Sequence, residues 1–176
     1  MLYEHAAVLR TASLLLAVNK TDLVKKILAQ LEAELELYSL SARAAHAEAT
    51  HEQNKAENKY DTRALEASYL AHGQSRQAAE TEHARQSFQA LTLQTFGPGD
   101  IIGLSALVEL ESKGEHSWYF IGPRAGGTEI VHENKEVLVI TPHSPLGSQL
   151  LGKKENEQLE MGIGGSRNHF RIVSVC

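Results

Sequence analysis

The spacing of apolar residues after Thr21 constrains this chain more than any other feature. Val24, Leu28, Leu31, Leu35, Tyr38, Ala42, Ala45 and Ala49 step by four and three residues in unbroken alternation. That spacing sets them in one stripe along a helix that must pair with another helix. The stripe is leucine-rich at its start and alanine-rich towards Ala49, and small seam residues let two helices approach closely, so the pair is expected to thin along its length. Thr21 is the expected N-cap, with Asp22 in the first turn complementing the helix dipole. The pattern lapses over the polar stretch Thr50–Thr62, where a turn near Asn54–Asn58 predicts a returning helix over Thr62–Leu93. Its inner face is drawn from Leu65, Tyr69 or Leu70, Ala78, Ala84, Phe88 and Leu91. Gly73 is expected to weaken it by about 1 kcal/mol relative to alanine. An arm of about 35 residues would extend ~50 Å at the rise of an α-helix.

Gly97-Pro98-Gly99 ends the helical texture. Ile101–Leu110 alternates loosely and stops at the turn Ser112-Lys113-Gly114. Trp118–Ile121 and Val137–Ile140 read as strands, as do Leu159–Ile163 and Phe170–Val175 on either side of a glycine turn. Ser144-Pro145 offers an N-cap followed by proline at the first helical position, with Leu146, Leu150 and Leu151 on one face and Gly152 as terminator. The fold class is therefore α+β and multidomain. An N-terminal antiparallel coiled-coil hairpin (19–96, tip near 52–61) precedes a small, mostly antiparallel sheet domain with one short helix (97–176).

Composition narrows the function classes. A net charge of −5 argues against a protein that coats nucleic acid, which needs clustered Lys and Arg. The lone cysteine, Cys176, has no internal partner and fits a reducing compartment. The apolar run Ala12–Val18 is too short to span a bilayer, and Glu4 spoils a basic leader. Residues 1–18 are expected to be a non-native or disordered extension, with Val18 standing where an alternative start codon could be read. A peptide covering Glu4–Arg10 in mass spectra of the native protein would exclude that.

The order of parts resembles the Gre family of bacterial transcription elongation factors. The most specific similarity is Ser144-Pro145-Leu146-Gly147-Ser148-Gln149-Leu150-Leu151-Gly152-Lys153, which looks like the family's Ser-Pro-x-x-x-x-Leu-x-Gly-Lys segment. Tyr119-Phe120-Ile121-Gly122 is similar to the family's strand ending in a Val/Ile-Gly step. The resemblance covers about Asn19 to Val175. It implies an FKBP-like C-terminal domain that docks on RNA polymerase, here through Ser144, Pro145, Leu146, Gly147 and Gly152. It also implies a hairpin that threads the polymerase's secondary channel and acts on backtracked RNA. Acidic tip residues there help hold a second Mg²⁺, shared with the polymerase active site. The factor is then an accessory to an enzyme, expected to be a cytoplasmic monomer with no cofactor of its own and no membrane partner, contacting nascent RNA indirectly.

Against the family's Asp-x-x-Glu-Asn tip, this chain reads Asn54-Lys55-Ala56-Glu57-Asn58. Glu57 matches; Asn54 replaces the aspartate and brings an amide oxygen without charge to a hard cation. Asp61, four residues beyond Glu57, shares its face if the tip is helical there, and Glu52 is a further candidate. The implied catalytic set is Glu57, Asp61 and Asn54, with Glu57 and Asp61 as metal ligands. A non-cleaving regulator with the same docking mode remains the alternative, followed by a prolyl isomerase with a helical arm and a structural coiled-coil protein. The nine histidines include no H-x-H or H-x-x-x-H pair, so most of them read as solvated surface. Gly162–Gly165 lacks the Lys-Ser/Thr and the helix of a phosphate loop and reads as a turn.

Overall fold

The computed structural model describes residues 19–50, 63–97, 99–163 and 166–176. Two long helices come first, α1 (Lys20–Thr50) and α2 (Arg63–Gln89). Strands β1 (Leu107–Ser112), β2 (Glu115–Ile121), β3 (Glu129–His132) and β4 (Lys135–Ile140) follow. The short helix α3 (Pro145–Leu150) then leads to β5 (Gln158–Ile163) and β6 (Ser166–Val175). The chain divides into two compact units. One is Ile27–Ala90; the other holds the described residues up to Lys26 and those from Leu91 to Cys176.

In the helical unit, every seam position from Leu28 to Ala49 is buried or half-buried. The pairing is antiparallel. The charge of Glu32, early in α1, acts on Arg85, late in α2, while His46 and Thr50 late in α1 share a cavity with Ser68 and His72 early in α2. The inner face of α2 differs from expectation. Leu65, Tyr69 and Leu70 are 53%, 69% and 55% exposed, and Ala67, Ala71, Thr81, Ala84 and Phe88 are buried instead. The inward positions run Ala67, Ala71, Gln74, Ala78, Thr81, Ala84 and Phe88. Two successive steps of three between Ala78 and Ala84 shift the frame by one residue, so the seam takes Ala71 where unbroken heptad spacing from Ala84 would have reached Leu70. The helices therefore meet through alanine on both sides, Ala45 against the Ala67–Ala71 end. Helix α2 passes through Gly73 unbroken.

The other unit begins with the first turns of α1. Asn19, not Thr21, caps the helix: its Oδ1 and carbonyl both accept the Asp22 amide, and the carbonyl also accepts that of Leu23. An asparagine one residue before the helix leaves its side chain free to fold over the orphan amides, which a threonine already inside the helix cannot do. Lys20 donates to the Gln94 and Ser105 carbonyls and sits 4.8 Å from the Phe96 ring centroid; burial pushes its ammonium below the usual lysine range. Lys26 donates to the Val131 carbonyl at 3.1 Å.

The six strands form one sheet in the order β3-β4-β2-β1-β6-β5. All neighbours are antiparallel except β2 and β4, which run parallel from Trp118↔Val137 to Ile121↔Ile140. Two tight turns explain the hairpins. Lys113-Gly114 and Glu133-Asn134 both take positive φ at each residue, the geometry whose twist matches that of paired strands. Residues 101–106, expected to begin a strand, are irregular. Ser105 is fully buried at φ 68, and its Oγ accepts the Gln94 amide. One sheet face carries a core of Ile102, Val108, Leu110, Ile121, Leu150 and Ile172, with Tyr119 and Leu138 packed at its margin. Among the described residues no helix is long and apolar enough to cross a membrane.

Candidate functional site

The expected tip residues Asn54, Glu57 and Asp61 lie outside the described residues, as does Glu52. The structure does describe the helix ends that lead to them. Between His46–Thr50 and Ser68–Ser75 lies a cavity of about 390 Å³ lined by imidazole, hydroxyl and methyl groups. Among the described residues no carboxylate lines it. Among the described residues no group of three His, Cys, Asp or Glu side chains is arranged to hold a metal ion.

The segment Ser144–Lys153 is described in full. Ser144 is the N-cap of α3: its Oγ accepts the Gly147 amide at 3.0 Å and donates to the Thr141 carbonyl at 2.8 Å. Pro145 follows at the first helical position, where its missing N–H costs nothing. Gly147 is there because nothing larger fits, since a Cβ at this residue would lie 2.0 Å from the Thr141 carbonyl oxygen. Leu150 is fully buried and Leu146 packs against the same core. Gly152 takes φ +81 and donates its amide to the Ile102 carbonyl, while Ile102 donates to the Lys153 carbonyl at 2.8 Å. Each expected docking residue thus has an architectural reason for its identity. Pro145 and Gly152 present exposed surface.

The ladder between Ile102 and Gly152–Lys153 brings a neighbour to this segment that sequence reasoning did not assign. Ile101, Leu104 and Leu151 are all exposed large hydrophobics on adjoining loops. Side chains of that size left in water beside one another mark an interaction surface more often than isolated ones do. The signal was misleading: Ile101-Ile102-Gly103-Leu104 opens a loosely alternating stretch that reads as the start of a strand, not as a loop.

The chain is similar to solved Gre-type structures. One is Gfh1 of Thermus aquaticus, at 23% identity and a TM-score of 0.38, covering 86% of this chain and 92% of that one. Another is GreA factor homolog 1 (Gfh1) of Thermus thermophilus, at 22% identity and a TM-score of 0.35, covering 85% and 94%. A third is the prokaryotic transcription elongation factor GreA/GreB from Nitrosomonas europaea, at 18% identity and a TM-score of 0.35, covering 54% and 78%. No family model matches the sequence, and no curated protein does either.

Proposed function

We propose that this protein is a transcription factor that binds RNA polymerase and inserts its helical hairpin into the secondary channel. There Glu57, with Asp61, stimulates cleavage of backtracked RNA by the polymerase's own active site. The observation that carries the reading is the pairing of two features in one chain. One is a helix pair whose seam narrows to alanine towards the end that bears Asn54-Lys55-Ala56-Glu57-Asn58. The other is the Ser144–Lys153 segment of the Gre pattern. Alanine at Ala45, Ala67 and Ala71 makes that end of the hairpin as slender as two helices can be, which suits entry into a tunnel. Carboxylate oxygens are the donors a hard Mg²⁺ ion takes, and a second metal at a phosphodiester activates water and stabilises the leaving oxygen. Ser144, Pro145, Leu146, Gly147 and Gly152 belong to the docking element, with Ile101, Leu104 and Leu151 as its apolar neighbours.

Asn54 favours a second reading. With one tip carboxylate replaced by a neutral amide, the same insertion would occupy the channel without completing a metal site, and the protein would act as a non-cleaving regulator. Adding the protein to a stalled, backtracked elongation complex with Mg²⁺ decides between them. Release of short 3′ RNA fragments, lost in Glu57→Gln and raised in Asn54→Asp, is the expected result. Binding without fragments, in competition with a Gre factor, selects the regulator. Absence of polymerase binding overturns both.

A further inference from the structure

A groove of about 700 Å³ lies at the β3 end of the sheet, lined by residues of β2, β3 and β4. It contains none of Ser144–Lys153. Strand register shows how it is floored. Across the sheet, Glu129 lies beside Leu138 and Leu138 beside Tyr119; one step along, Val131 lies beside Glu136. Leu138 and Tyr119 pack at the margin of the core, but on the β3 side the same face is open, and Val131 is 65% exposed. The volume falls within the range of ligand-binding clefts.

Charge is what gives this groove a direction. Glu129 and Glu136 stand diagonally across the β3–β4 pair, about 7–8 Å apart for such neighbours. Neither has an ion-pair or hydrogen-bond partner among the described residues. Three other carboxylates of the sheet are engaged: Glu109 with His116 and Ser174, Glu111 with Arg171, and Glu160 with His169. Lys135, which also lines the groove, is committed elsewhere, its ammonium 3.7 Å from the centroid of the Trp118 ring. Two free carboxylates over an aliphatic and phenolic floor suit a ligand that is cationic and apolar at once. The backbone edge is not the recognition element, because Lys26 already occupies the Val131 carbonyl, as lysines do on strand edges that must not pair.

We infer that this groove binds a basic peptide segment of a partner protein, an arginine reaching Glu129 and Glu136 while a neighbouring aliphatic side chain rests on Leu138 and Tyr119. A guanidinium can engage two carboxylates and lie flat on an aromatic ring. The inference stands apart from polymerase binding through α3 and does not depend on it.

Trp118 is the chain's one tryptophan and lines the groove, so its emission is a built-in reporter. The full chain is titrated with a synthetic peptide of alternating Arg and Leu, and with a control of alternating Glu and Leu. The basic peptide is expected to shift Trp118 emission saturably at low ionic strength, and the acidic one is not. The double variant Glu129→Gln/Glu136→Gln, whose side chains are exposed, should lose about tenfold in affinity with an unchanged melting temperature. Backbone amide shifts on binding should cluster in β2, β3 and β4. Equal binding of both peptides, full affinity in the double variant, or shifts spread over other acidic surfaces would each overturn the assignment.

Discussion

At Gly147 the cost of one methyl group can be read directly. A Cβ 2.0 Å from the Thr141 carbonyl oxygen cannot be relieved by rotating a side chain, because the obstacle is backbone. Gly147→Ala is expected to destabilise the protein by about 3 kcal/mol in denaturant titrations. Ser144→Ala, which removes only the cap, should cost about 1 kcal/mol. The order of the two variants is the test, and a Gly147→Ala protein as stable as Ser144→Ala would contradict the packing. His132 presents the opposite case. It is buried, and neither ring nitrogen has a hydrogen-bond partner among the described residues, Glu133 being 3.6 Å away. An unsatisfied buried polar group is costly, whereas an apolar group of similar shape is not. His132→Phe is therefore expected to hold or raise the melting temperature, and a fall of several degrees would show that the imidazole has a partner. The role of Ser144 was legible in the sequence, because Ser-Pro before Leu146 and Leu150 has one local explanation. The burial of Ser105 at positive φ was not, since it depends on Lys20 and Gln94 arriving from elsewhere in the chain.

At the scale of the element, α2 shows why a period can be right and its phase wrong. Large apolar residues were expected inside, yet Leu65, Tyr69 and Leu70 face water because alanines hold the seam. Leu70→Gln should leave helicity and melting temperature within error of the parent. Ala71→Leu should lower both by forcing the helices apart, at a cost of about 1–3 kcal/mol. The reverse ranking in circular dichroism melts would refute the seam. Near the other end of α2, Glu82 accepts two 2.8 Å hydrogen bonds from Arg85 and another from Gln86. Those bonds hold its carboxyl down at about 2, below its unfolded value, so their stabilisation is complete above pH ~4.5 and fades as pH falls towards 2. Glu82→Gln should flatten that part of the stability–pH curve, and an unchanged acid limb would rule the contact out. Strand β3 went unread because Glu-Ile-Val-His offers two adjacent apolar residues and no alternation. Its identity comes from the Glu133-Asn134 turn and its register with β4.

Across the whole molecule, two kinds of cohesion coexist in one chain. The sheet buries Val108, Leu110, Phe120, Ile121 and Ile172 almost completely, while the late seam of the hairpin offers methyl groups. Amide hydrogen exchange should therefore be slowest in β1, β2 and β6 and markedly faster at Ala45–Thr50 and Ala67–Ala71. Uniform protection across these segments would mean that the alanine seam is held by more than its own packing. The succession of long helices and then strands was legible, β3 and the irregular stretch 101–106 excepted, since heptad spacing and strand texture do not overlap in this sequence. The groove beside Glu129 and Glu136 was invisible, because three strands far apart in sequence must be laid side by side before their side chains form a floor.

Strand β1 pairs with β2 across a two-residue turn and with β6 on its other side, Val108 reaching Val175 and Leu107 exchanging both backbone bonds with Cys176. A ribosome delivers the first partner at once and the second only after β3, β4, α3 and β5 have been made. Throughout that interval the most buried strand of the sheet has one side of its backbone without its native partner, inviting mispairing with neighbouring nascent chains. The rate at which Ser166–Val175 is translated thus becomes a variable of folding yield, and codons that slow synthesis just before it lengthen the time at risk.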